Sequence, residues 1–183
     1  MKNLEALSKE QANEISNDIF EQLEEQMDMI PNVYATIGNS GPALKATMAL
    51  TKILEEGEFS GKEIHAVALA VSQSNGCEYC LAAHTAVAKQ LGFSEEETIE
   101  IRNGEIEDKK LKALTDLAKA ITETRGYPDQ HLIDQFFDAG YSKAALAELI
   151  ALVGLKTITN YTNHIAETEI DFPKAPALEK AEA

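Results

Sequence analysis

Apolar residues recur at helical spacing along almost the whole chain, and nowhere do they alternate with polar ones over the length of a strand. In residues 8–30, Ile15, Ile19, Leu23, Met27 and Ile30 keep that spacing, Ser8 with Gln11 resembles a capping box, and Pro31 is expected to end the helix. The turn "GNSGP" at 38–42 precedes a helix expected over 43–55, with Leu44, Met48 and Thr51 or Ile53 inward. Ser60 with Glu63 starts the next helix, which carries Ile64, Val67, Ala68 and Val71 and breaks at Asn75-Gly76. A helix follows from Cys77 to Gln90, with Gly92 just past its end; Ser94 with Glu97 caps a shorter one that stops at Asn103-Gly104. Leu111, Leu114, Leu117, Ala118 and Ile121 mark a helix over 108–124. Asp129 caps one that holds Leu132, Ile133, Phe136 and Phe137. From Ser142 an Ala- and Leu-rich helix carries Leu146, Leu149, Ile150 and Val153, and Ile158, Tyr161 and Ile165 extend its period past Gly154. The expectation is an all-α fold: one compact domain, 1–171, of about seven to eight helices, with a loose extended tail over 172–183.

Composition removes several function classes. A net charge of −15 opposes nucleic acid and anionic lipid. No run of 18 apolar residues suggests a membrane span, and the N-terminus lacks the apolar core of a signal peptide. The protein is therefore expected in the cytoplasm, with no nucleic-acid or membrane partner. Acidic runs such as "SEEETIE" read as solvated helix surface.

The only two cysteines lie in "NGCEYCLAAH", with His84 following as C-x2-C-x3-H. Offsets of 0, +3 and +7 put Cys77, Cys80 and His84 on one face of a helix. Cys77 falls in the first turn, where unpaired N–H groups and the helix dipole favour a thiolate. His84 lies one turn beyond Cys80, where it can take a proton from that thiol and pass it on. A zinc site would need a fourth ligand, and no spacing supplies one from His65, His131 or His164; no metal and no cofactor is expected. Two thiols at this spacing in an intracellular chain favour a redox pair over inert core filler. Glu63 reads as a capping residue, Ser72 as polar core filler, and Tyr79 as a packing residue or a gate. Asn160, Tyr161, Asn163 and His164 are unusually polar for this helix; helix surface and C-capping is the preferred reading for them, and the lining of a pocket or subunit interface the alternative.

The segment "SGKEIHAVALAVSQSNGCEYCLAAHTAVAKQLGFSEEE" resembles the carboxymuconolactone decarboxylase-like family, in its alkylhydroperoxidase D-like branch. The flank "GYSKAALAELIALVGLKTITNYTNHIA" is similar to its longer members. The resemblance implies a thiol-dependent peroxidase on a compact helical fold that assembles as a homo-oligomer. It implies that Cys80 attacks the peroxide, that Cys77 resolves the sulfenic acid as a disulfide, and that His84 belongs to a proton relay. It also implies a relay glutamate twelve residues before the first cysteine. In this chain that position is His65, in "GKEIHAV", so His65 enters the candidate catalytic set in place of a carboxylate. A thioredoxin-like or lipoyl-type electron donor is the partner implied. The alternatives are a non-enzymatic helical redox sensor or structural protein and, ranked below it, a lactone decarboxylase-type enzyme. The last would need cations to hold substrate carboxylates and has no use for two thiols.

Overall fold

The computed structural model describes residues 4–178. Among these it contains nine helices and no strand, so the all-α expectation holds. They are α1 (Glu14–Met27), α2 (Asn32–Ile37), α3 (Gly41–Glu55), α4 (Gly61–Asn75), α5 (Glu78–Gln90), α6 (Glu95–Asn103), α7 (Lys109–Glu123), α8 (Gln130–Asp138) and α9 (Lys143–Ala166).

Side-chain caps set most of the starts. Ser60 and Ser94 each form a complete capping box with Glu63 and Glu97, and Ser142 accepts from Ala145 N–H to open α9. Glu63 also accepts from the Tyr141 hydroxyl at 2.8 Å, in keeping with its reading as a cap. Asp129 stands at the N-cap of α8 but its side chain makes no capping bond there.

The N-terminal segment departs from the single helix expected over 8–30. The Ser8 amide bonds Gln11 Oε1 at 2.9 Å and closes a separate turn, while Asn13 caps Ser16 N–H and begins α1. Asp28, in the left-handed region at φ 55°, ends α1 three residues before Pro31. Pro31 then begins the short α2, which periodicity alone does not reveal, because six residues hold fewer than two turns.

Helix α4 is the centre of the molecule. It packs against α5, α6, α7 and α9, and buries Ile64 and Ala66 through Ser72. Ala66, Ala68 and Ala70 leave room for neighbours to approach on several sides, whereas a surface helix buries one stripe. Val67 and Val71 join Leu114, Leu117, Phe136, Leu149 and Leu152 in one cluster; Ala66 and Leu69 join Leu81, Phe93 and Ile101 in another. A third cluster, around Phe20, Leu23, Val33 and Leu44, includes both cysteines.

The segment after Asp171 has no helix, yet its described part touches the body. The Phe172 ring meets Tyr79 edge-on at 5.9 Å, Ala175 packs on the Leu69 cluster, and the Pro176 carbonyl accepts from Arg102 at 2.6 Å. The rest of the tail expected to be loose, 179–183, lies outside the described residues.

Helix α9 has the length and mean hydropathy, 1.2, of a membrane span, but its Leu149, Leu152 and Leu155 face is core. Inward and outward sides should therefore respond differently to truncation. Phe136→Ala, at a side chain with no exposure, should lower the unfolding free energy by about 3–5 kcal/mol in urea titration. Tyr127→Ala, at a side chain 85% exposed in the turn after α7, should change it by less than about 0.5 kcal/mol.

Candidate functional site

The joint between α4 and α5 builds the dithiol. Gly76 adopts φ 66°, which L side chains rarely take, and this reverses the chain in one residue. Cys77 N–H then reaches back to the Ser72 carbonyl at 2.9 Å, closing a Schellman-type end on α4. The same residue is the N-cap of α5, and its sulfur accepts from Cys80 N–H at 3.4 Å. Helix α5 thus starts one residue later than the sequence suggests, with a thiol in the role usually given to a hydroxyl or carboxylate. Both cysteines are free and buried.

Their other neighbours come from α9. Asn163 Nδ2 donates to Cys80 Sγ at 3.2 Å and stands 3.9 Å from Cys77 Sγ. Asn160, with no exposure, donates to Ser72 Oγ at 3.3 Å and accepts from Asn75 at 2.8 Å. Helix surface is therefore the wrong place for Asn160 and Asn163, and Ser72 is one end of a polar chain. Tyr161 and His164 do lie on the outer face. The sequence did hold the signal. Leu149, Leu152, Lys156, Asn160 and Asn163 follow the 3.6-residue period of one face, whereas Ile158, Tyr161 and Ile165 are 48–65% exposed.

These contacts set the two thiols apart. The Cys80 thiol is lowered to about 7, first by a hydrogen bond from Cys77. Burial opposes that shift, and the amides of Asn163 and Asn160 and the charge of Lys156 support it. Cys77 is pushed far up, because it is the donor in that bond and is buried beside a negative sulfur. The helix-start advantage expected for Cys77 is thus outweighed, and the thiolate belongs to Cys80.

His84 and His65 meet across the α4–α5 packing, with Nδ1 atoms 3.1 Å apart and ring centroids 5.1 Å apart. Burial, helped by the charge of Lys156, lowers His65 to about 4 and His84 well below its ordinary value. Both rings are neutral near pH 7. One ring must donate its Nδ1 proton to the other, which leaves one Nε2 bare and the other protonated. The structure so brings together all four residues Cys77, Cys80, His84 and His65. Among the described residues no group of three or more His, Cys, Asp or Glu is placed to hold a metal ion.

Cys80, His65 and His84 open onto a cavity of about 260 Å³. Its wall is mostly apolar, with Met27, Val33, Leu54, Leu155 and Phe172, and it also carries Tyr34, Glu55 and Lys156. Sequence reasoning passed over these last three; Lys156 is the lone charge on the inward face of α9. Tyr79, also in the wall, accepts from Val33 N–H at 3.2 Å, so it is a packing residue whose hydroxyl is already engaged.

A thiol pair at a helix joint, with Cys80 lining an apolar cavity in an all-helical domain, is the arrangement to set beside known proteins. Residues 42–123 match the model of the carboxymuconolactone decarboxylase family, which bears out the resemblance read from the sequence. No curated protein matches the chain. Among solved structures it is similar to the alkylhydroperoxidase AhpD core of a peroxidase-related protein from Ralstonia eutropha JMP134, with TM-score 0.80, 14% identity, and 91% and 90% of the two chains covered. It is also similar to a peroxidase-related protein from Silicibacter sp. TM1040, with TM-score 0.78, 23% identity and 92% of each chain covered. A third is the debrominase Bmp8 in complex with 2,3,4-tribromopyrrole, with TM-score 0.79, 18% identity, and 93% and 92% covered. At these identities the likeness concerns the fold.

The two lowered histidines make acid stability a test of the site. Each binds a proton more readily unfolded than folded, so its contribution is complete above about pH 6.5 and is lost as the pH falls toward 4. His65→Asn should flatten the fall in urea midpoint between pH 6.5 and pH 4; a slope equal to that of the unaltered protein would place the acid sensitivity elsewhere.

Proposed function

We propose that the protein is a thiol-dependent peroxidase in which Cys77 and Cys80 are the redox pair. The observation that carries the reading is the division of labour between the thiols. Cys80 ionises near neutral pH, faces the cavity and accepts hydrogen bonds, while Cys77 keeps its proton three residues away. A thiolate is the nucleophile toward peroxide, and the sulfenic acid it forms condenses with a neighbouring thiol, whose proton leaves with the hydroxyl as water.

The chemistry balances in two steps. Cys80 sulfur attacks the outer peroxide oxygen, the O–O bond breaks, and the leaving alkoxide takes up one proton to become an alcohol. Cys77–SH then condenses with Cys80–SOH, forming the disulfide and releasing water. Two electrons and two protons from a dithiol donor, thioredoxin-like or lipoyl-type, close the cycle: the disulfide reopens to the Cys80 thiolate and the Cys77 thiol with one proton, and the other replaces the proton given to the alkoxide. The His65–His84 pair, one bare Nε2 and one protonated, is suited to move protons along the cavity wall in place of a histidine–carboxylate relay. The apolar wall favours an organic hydroperoxide over hydrogen peroxide. The fold also serves a debrominase, so the substrate has to be argued from the cavity rather than from the architecture.

Self-association belongs to the same proposal. Ile150, Ile158, Tyr161 and Ile165 form an exposed apolar stripe along the outer face of α9, and Ile53 of α3 is also exposed. A homo-oligomer that covers this stripe should give a mass above 20.0 kDa by light scattering at micromolar concentration. Ile158→Asp should return the monomer; a monomeric unaltered protein would remove the expectation.

Peroxide consumption by the reduced protein, followed by mass spectrometry, tests the mechanism. Cys80→Ser should abolish turnover. Cys77→Ser should leave Cys80 oxidisable but unresolved, accumulating as sulfenic and then sulfinic acid. His84→Ala should slow attack while keeping the fold. Asn163→Ala removes one hydrogen bond to the thiolate and should raise the pH midpoint of Cys80 alkylation by about 1. Oxidation of Cys77 in Cys80→Ser at the rate of the unaltered protein would reverse the roles.

A further inference from the structure

Lys156 has no place in the scheme above, although its side chain is buried and lines the same cavity as Cys80. It is 8% exposed, its neighbours Leu152 and Leu155 are core, and it lines the cavity with Cys80. Its Nζ makes no hydrogen bond or close ion pair with the protein among the described residues. An unpartnered cation in an apolar wall costs stability, so its retention asks for a use.

The groups facing it are few. Helix α5 presents the Cys80 thiolate and neutral His84, and α4 presents neutral His65. Helix α2 presents Tyr34, whose phenol burial raises to about 12, and α3 presents Glu55, an exposed residue at the rim. Burial lowers the amine to about 8, while Cys80 and Glu55 act to raise it. At neutral pH the cavity thus holds one buried anion and one buried cation.

Peroxide attack turns the first into a neutral sulfenic acid and creates an alkoxide, which is strongly basic and needs one proton. Neither neutral imidazole nor the phenol matches the ammonium as an acid. We propose that Lys156 is the general acid of the reaction, giving its proton to the leaving oxygen as the O–O bond breaks. Thiolate plus ammonium becomes sulfenic acid plus amine, so the site begins and ends without net charge. No ion is left stranded in the apolar wall. The role rests on the peroxidase reading and names the residue that completes it.

Leaving-group dependence tests it. Reduced protein at pH 7.5 is treated separately with tert-butyl hydroperoxide, whose alkoxide needs a proton, with peracetic acid, whose acetate does not, and with iodoacetamide, which reports thiolate reactivity alone. In Lys156→Met the hydroperoxide rate, divided by the iodoacetamide rate, should fall about 100-fold, and the peracetic acid ratio by less than about five-fold. Lys156→Arg keeps the charge but does not release a proton, so it should keep the iodoacetamide rate and still lose the hydroperoxide rate. The unaltered protein should show a bell-shaped pH profile with tert-butyl hydroperoxide, rising near 7 and falling near 8, and Lys156→Met only the rising limb. An equal loss with all three reagents, or full hydroperoxide activity in Lys156→Arg, would show that the lysine acts through charge alone and overturn the proposal. Alkylation of Cys80 in an unaltered protein that reacts with neither peroxide would instead reject the peroxidase reading, and the acid role with it.

Discussion

A thiolate in a protein interior has to be held by donors, because burial by itself favours the neutral thiol. Most of this site answers that requirement. Cys77 donates a hydrogen bond, Asn163 and Asn160 add their amides, and Lys156 adds a positive charge without touching an acceptor among the described residues. The donors come from two helices that meet only in the folded chain, α5 and α9, and α4 locks them in register through Ser72 and Asn75. The same low dielectric that makes the thiolate costly also keeps both histidines neutral.

The cavity is consequently a mixed environment. Apolar side chains from six helices and Phe172 make most of the wall, and the polar groups in it are few. Strong electrostatic effects at small distances are expected in such a setting, and cost little reorganisation when charge moves. His65 fits this picture better than a carboxylate would. An anion at that position would compete with Cys80 for the ammonium of Lys156, whereas a neutral imidazole leaves the cation to the sulfur.

Much of the fold could be read from local rules. The capping boxes at Ser60 and Ser94, the stop at Asn75-Gly76 and the stripe on α7 each involve residues within one or two turns, so sequence spacing and geometry coincide. The errors came where local signals competed. Residues 8–13 contain a turn that mimics a cap, and α2 is too short to show a period. In α9, apolar residues lie on two faces. Ile158, Tyr161 and Ile165 suggested a buried stripe, while the true inward face passes through Lys156, Asn160 and Asn163, which look like surface by residue type.

By itself the sequence determined the helical architecture, the one-face placement of Cys77, Cys80 and His84, and the helix break that sets the dithiol at a helix start. All are consequences of spacing within a few residues. Only the tertiary structure decided which thiol is ionised, because the contacts that lower Cys80 and raise Cys77 include groups more than 80 residues away along the chain. It also decided that His65 pairs with His84, and that Lys156 lies inside the site rather than in water. Hydrogen bonds and buried charges act through space, and the packing of α4, α5 and α9 brings these groups within reach.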